Sequence, residues 1–167
     1  MKDVMKAYIY REAGGPEVIE VQQREAPAAG PGEVLIKTAA FGLNRADVQQ
    51  RRGVYPPPPG ASDIPGLEVS GTIAALGEGV TGWNLGDRVA ALLAGGGYAQ
   101  YVNVAQELLI RIPEDLSFTD AAALPEVAAT VVSNLFLEGG LRQGQSLLVH
   151  GGAGGIGSMA IQLAKAA

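Results

Sequence analysis

Cysteine is absent from the 167 residues, and histidine occurs once, as His150. The first absence removes disulfides, thiolate metal sites and cysteine nucleophiles together. One imidazole cannot build a histidine metal site, so no metal centre is expected. Aromatic residues make up 5% of the chain and include one tryptophan. Basic charge is also short. Twelve Lys and Arg against seventeen Asp and Glu leave a net charge of −5. With no basic cluster, nucleic acid is not an expected partner. No uninterrupted apolar run reaches about 18 residues. The longest apolar region, residues 121–137, contains Pro125, Glu126, Ser133 and Asn134. The N-terminus, Met1-Lys2-Asp3-Val4-Met5-Lys6, lacks the apolar core and cleavage site of a secretory signal. A cytoplasmic protein without a membrane partner is therefore expected.

Apolar residues are plentiful at 47%, and glycine occurs 24 times without a three-residue period. That composition fits a globular chain rich in turns. Its length could bury roughly 70% of the unfolded surface. Up to about Ser117, short β-type runs alternate with Gly/Pro turns. The runs are residues 6–10, 18–21, 34–41, 66–76, 88–92, 98–104 and 108–112. Such spacing predicts an all-β barrel or sandwich. One helix is expected at 45–52, with Asn44 as its N-cap. Asp47 and Arg51 lie four apart on it and read as a surface ion pair worth little.

Beyond Ser117 the pattern turns helical. Ser117-Phe118-Thr119-Asp120 is a capping signal. Pro125 breaks the first helical run, residues 126–137 resume it, and Gly139-Gly140 closes it. Residues 146–150 read as a short buried strand. Gly152-Ala153-Gly154-Gly155-Ile156-Gly157 comes next, a G-x-G-x-x-G loop that opens a helical pattern over 156–166. Small residues let this backbone approach a pyrophosphate, and the helix N-terminus offers free N–H groups with a favourable dipole. Two readings stand: a dinucleotide-binding loop, or a glycine-rich strand-to-helix turn. His150 borders the loop and reads as packing at the strand end. The division is residues 1–125, a β-rich domain, and 126–167, a linking helix and the start of an incomplete dinucleotide-binding domain. A complete one needs two βαβαβ halves, so the sequence reads as the front portion of a longer protein.

Several motifs in one order carry a resemblance. They are Asn44-Arg45-Ala46-Asp47, Arg51-Arg52-Gly53-Val54-Tyr55-Pro56-Pro57-Pro58, Gly66-Leu67-Glu68-Val69-Ser70-Gly71, Gly86-Asp87-Arg88-Val89, Gly96-Gly97-Tyr98-Ala99-Gln100-Tyr101, Leu124-Pro125-Glu126 and the glycine loop. With them the chain resembles the zinc-free quinone oxidoreductases of the medium-chain dehydrogenase/reductase superfamily, most nearly the p53-inducible NADPH:quinone oxidoreductase type. The resemblance implies a mainly β fold: a GroES-like β-barrel domain, followed by the first strand and helix of a Rossmann α/β domain. In zinc alcohol dehydrogenases of this superfamily a ligand Cys stands at the place of Asn44 and a ligand His at the place of Leu67. Neither residue here is a ligand, in keeping with the composition.

By that resemblance, Asn44 and Tyr55 are the polar groups of the substrate pocket. Their other readings are a helix N-cap for Asn44 and a half-buried packing aromatic for Tyr55. Thr130 is expected beside a nicotinamide, with a helix-interior Thr bonding its own backbone as the other reading. Gly152, Gly154, Gly155, Ile156 and Gly157 would hold the cofactor, NADPH by resemblance. The family often continues after Thr130 with Ala and an aromatic, where this chain has Val131 and Val132. Glu68 faces the cleft or closes a strand-end hydrogen bond, with no acid–base role assigned. The implied activity is zinc-independent hydride transfer from NADPH to a quinone or conjugated carbonyl, in a homodimer. An enoyl or other zinc-free reductase, or a non-catalytic β-rich binding module, are the alternatives. Residues 1–167 by themselves are expected to bind NADPH poorly and to turn over little.

Overall fold

The computed structural model describes residues 4–167 and divides the chain into two compact units, residues 1–123 and 124–167. The first unit is antiparallel β. Strands β1 (Val4–Tyr10) and β2 (Ile19–Glu25) form a hairpin through a 3₁₀ turn at Pro16–Val18. Strands β3 (Glu33–Phe41), β4 (Glu68–Leu76), β5 (Arg88–Leu92), β6 (Tyr101–Ala105) and β7 (Leu109–Arg111) form a second sheet in the order β6-β3-β4-β5-β7. Two register shifts in the β3–β4 pairing, at Leu35/Ile36 and Thr38/Ala40, bend the ladder. The sheet curls into the half-barrel of a GroES-like fold, as expected. The hairpin joins it where the Tyr8 N–H donates to the Tyr98 carbonyl at 2.8 Å and the Gln100 N–H to the Lys6 carbonyl at 3.1 Å.

Alternation decides which side chains go inside. Met5, Ala7 and Ile9 point inward from β1, while Val4, Lys6 and Tyr8 point out. Val34 and Ile36 from β3, Val69 and Ile73 from β4, Val89 and Ala91 from β5, and Val102 and Val104 from β6 make the main core. β4 buries both faces at its start. There the Ser70 hydroxyl donates to the Phe118 carbonyl at 2.6 Å beneath helix α2 (Phe118–Ala121). The Ser117 side chain caps α2 by accepting the Asp120 N–H. Arg88 lies over the Phe118 ring at 4.7 Å and donates to the carbonyls of Pro113, Glu114 and Leu116, closing the end of the unit. The expected first helix is present as α1 (Arg45–Arg51), with Asn44 at its N-cap position.

The second unit is helical. Helix α3 (Pro125–Val131) starts with Pro125 in its first turn, where the missing N–H costs nothing. It runs on as a π-helical segment, Val132–Glu138, and the Gly139 N–H donates to the Asn134 carbonyl at 3.0 Å. A glycine loop then leads into α4 (Gly155–Ala166), which packs on α3. The run Phe118–Glu138 is long and apolar enough to cross a membrane by length and composition alone, with a mean hydropathy of 1.2. It carries Asp120, Glu126 and Glu138 and is interrupted before Pro125.

One expected element is not formed. Residues 146–150 make no strand, and Leu148 is 79% exposed rather than buried. A parallel strand is held by ladder bonds to neighbours on its edges. Among the described residues no strand pairs with this segment, so its apolar side chains have no sheet in which to be buried.

Ile36 is fully buried at the centre of the sheet. Ile36→Ala is expected to cost about 2–5 kcal/mol and Ile36→Val about 0.5–1.5 kcal/mol. Urea unfolding followed by the fluorescence of Trp83, which packs against this core, measures both.

Candidate active site

The first unit gathers two buried carboxylates, Asp47 and Glu68, around the start of α1. β3 ends at Phe41, and Gly42-Leu43 carries the chain to Asn44. Asn44 adopts the extended backbone of an N-cap. Its N–H donates to Asp47 Oδ2 at 2.7 Å, so the third helical residue satisfies the donor that the helix start leaves open. The Asn44 side chain completes the capping box and also reaches across to β4. Its Nδ2 donates to Glu68 Oε1 at 2.8 Å. Glu68 is the first residue of β4 and is 2% exposed. Gly42 makes room for it: a Cβ at position 42 would stand 2.0 Å from Glu68 Oε1. Asn44 thus starts α1 and at the same time meets a carboxylate of β4 with its amide.

Asp47 differs from its expected role. It is 4% exposed and makes no ion pair with Arg51, because its carboxylate folds back onto the Asn44 N–H. Its Oδ1 is buried without a hydrogen-bond partner. Burial raises its pKa, and the Asn44 N–H and the Tyr98 hydroxyl act against that rise. The Tyr98 hydroxyl acts on this carboxylate without reaching hydrogen-bond geometry, so it too is unpartnered. Burial, then the Asp47 charge, pushes the Tyr98 phenol well above the usual range, with Glu68 adding to it. Burial also pushes Tyr10 up to about 12, with Asp47 adding and Arg51 opposing. The Tyr10 hydroxyl donates weakly to the Asp47 carbonyl at 3.4 Å.

Tyr55 is not among these groups. It is 54% exposed and lies in the exposed stretch 52–60. The tyrosines beside the carboxylates are Tyr98 and Tyr10, to which the sequence pattern assigned no role. A signal existed in the spacing Asn44-x-x-Asp47, which is that of a capping pair. Nothing in the sequence shows that the Asn44 amide and Glu68, 24 residues apart, would meet.

The second unit brings other expected residues together. Thr130, His150, Gly154, Gly155, Ile156 and Gly157 share the lining of one cavity of about 410 Å³. Gly152 is in the same loop but outside that lining. The loop folds on itself where the Gly154 N–H donates to the Gly151 carbonyl at 3.0 Å. Gly154 is the N-cap of α4, and the Ser158 N–H returns to its carbonyl at 2.8 Å. Gly157 is required by contact, since a Cβ there would lie 2.4 Å from the Gly151 oxygen. Among the described residues no carboxylate lines the cavity, and the amino end of a twelve-residue helix opens beside it. Backbone N–H groups, a favourable dipole and a wall without acids suit a phosphate group. Thr130 stands in the last turn of α3, and its carbonyl accepts from Asn134 Nδ2 at 2.8 Å. The exposed His150 edges the cavity and does not cap a strand.

Comparison with known proteins gives the family. The sequence family described as alcohol dehydrogenase GroES-like domain matches residues 30–114. The synaptic vesicle membrane protein VAT-1 homolog-like of Mus musculus is 37% identical over 95% of this chain and 38% of its own length. The quinone oxidoreductase of Lama guanicoe is 38% identical over 98% of this chain and 50% of its own length. Among solved structures, the CurK enoyl reductase superposes with a TM-score of 0.90 at 30% identity, covering 98% of this chain and 52% of that one. The chain thus spans about half or less of the length of these relatives.

The buried Asp47 gives a pH test. A carboxyl whose folded pKa is raised binds more protons folded than unfolded, so stability falls as pH rises from its ordinary 3.8 through the raised value. Asp47→Asn keeps an acceptor for the Asn44 N–H and removes the titration. The variant is expected to gain stability relative to the parent as pH rises above that ordinary value, measured as the difference in urea midpoints. A difference that stays flat over the same rise would show that Asp47 titrates normally.

Proposed function

The chain belongs to the alcohol dehydrogenase GroES-like domain family, and from that premise we propose that it is part of a zinc-independent NADPH:quinone oxidoreductase. Proteins named quinone oxidoreductase are among its relatives, which supports a reductase. In the proposed enzyme NADPH supplies the hydride, and a quinone or related conjugated carbonyl accepts it. The observation that carries the reading is the glycine loop. Thr130 and Gly154–Gly157 line one cavity at the N-terminus of α4, and contact requires glycine at position 157.

Each group has a task in this reading. The N–H groups at the start of α4 hold the pyrophosphate, and the dipole favours its charge. Thr130 flanks the nicotinamide end and offers a hydroxyl for orientation. Asn44 offers its amide to the oxygen of the acceptor, which a hydrogen bond rather than a metal would polarise. Tyr55 is proposed at the edge of the substrate pocket, its exposed ring and the four prolines after it forming a stiff border. The protein is proposed to be cytoplasmic and homodimeric. A second reading, an enoyl reductase, has support of its own in the likeness to the CurK enzyme.

A spectroscopic titration suits a weak site. In 1H–15N spectra of the purified chain at millimolar NADPH, the amides of Thr130 and of Gly154, Gly155 and Gly157 are expected to shift. Gly157→Val should weaken that response at least tenfold, because the side chain displaces the loop. An unchanged response in Gly157→Val, or shifts confined to other residues, would overturn the loop as the cofactor site. Assays of NADPH oxidation with 1,4-naphthoquinone and with a crotonyl thioester then separate the two reductase readings.

A further inference from the structure

We propose that Glu68 is a positioning residue, which fixes the Asn44 side-chain amide in one orientation and sets which of its hydrogens can meet a ligand. The inference rests on the reading of Asn44 as a ligand-facing group and adds to it the residue that makes that group usable.

The geometry needs only donor and acceptor rules. An asparagine amide is nearly symmetric in shape, and its oxygen and nitrogen exchange places by a flip about the last side-chain bond. An ionised carboxylate only accepts hydrogen bonds. Glu68 Oε1, 2.8 Å from Asn44 Nδ2, therefore admits the nitrogen end and repels the oxygen end. Glu68 is 2% exposed, so water does not compete for that oxygen as it would at the surface. Nδ2 carries two hydrogens, and Glu68 takes one. The second is left pointing away from the carboxylate, as the donor for a carbonyl oxygen.

Two further features hold the arrangement. Asp47 Oδ2 grips the Asn44 N–H at 2.7 Å, so the backbone beneath the amide is pinned as well. The bare Cα of Gly42 leaves the space that the Glu68 carboxylate fills. Position 42 thus controls the carboxylate without touching its charge.

The test reads the amide directly and does not depend on turnover. In the purified chain, the Nδ2 proton facing Glu68 is expected to exchange with solvent at least tenfold more slowly than those of the exposed Asn84. Glu68→Ala and Gly42→Ala should each remove that protection. Glu68→Gln, which keeps an acceptor oxygen of the same reach, should retain it. Titration with 1,4-naphthoquinone, read from the Asn44 amide and backbone shifts around it, should show at least fivefold weaker binding in Glu68→Ala and no more than twofold in Glu68→Gln. A merely structural Glu68 would leave binding unchanged in whatever fraction of Glu68→Ala stays folded. That result, or protection unaltered in both Glu68→Ala and Gly42→Ala, would overturn the proposal. Asn44→Ala separates the two ideas. If it leaves naphthoquinone binding intact while the protection pattern behaves as expected, Glu68 orients Asn44 and the ligand-facing reading of Asn44 is what fails.

Discussion

A carboxylate buried in a protein interior must be paired, because removing it from water costs far more than one hydrogen bond returns. Glu68 sets this constraint at the first residue of β4, and the residues around it are arranged to meet it. The chain leaving β3 carries glycine where any side chain would collide with the carboxyl. Two residues on, Asn44 presents an amide donor and begins a helix in the same step. The helix is short, and its third residue turns inward to hold the donor that starts it. Sheet, loop and helix thus meet at one charge.

A second carboxylate, Asp47, makes this region sensitive to its protonation. Its free Oδ1 and the unpartnered Tyr98 hydroxyl lie in an interior where burial opposes the ionisation of both. The two groups remain polar and incompletely satisfied while the surrounding apolar core is closely filled. Incomplete satisfaction in an otherwise ordered core is common where a protein keeps groups for binding or chemistry.

Much of the first unit was legible because one rule governs it. Alternating side chains and glycine or proline turns mark strands locally, and seven expected runs correspond to seven strands within a few residues of their ends. The caps at Asn44 and Ser117 were legible for the same reason, since a cap is a contact over three residues. Contacts that span the chain were not. The meeting of Asn44 with Glu68 depends on how β3 and β4 pair, and the inward turn of Asp47 depends on which side of α1 faces the sheet. The apolar run 146–150 has the composition of a buried strand, but strand structure belongs to a pair of segments and not to one. The glycine loop was readable as a motif, while the share of its members that line the cavity, with Gly152 left out, is a matter of three-dimensional folding.

The π-helical segment Val132–Glu138 bears on how this helix tolerates changes in length. A π turn holds one residue more than an α turn and is the mark of a single-residue insertion absorbed within a helix. Deleting one residue between Ser133 and Leu137 would restore ordinary helical winding and leave the downstream residues close to their present orientation about the axis. Thr130 lies before the segment and would keep its place, while Asn134, which donates to its carbonyl, lies inside the stretch that rewinds. Variation in chain length is thereby confined to a stretch that can take up a residue without moving the turn that bears Thr130.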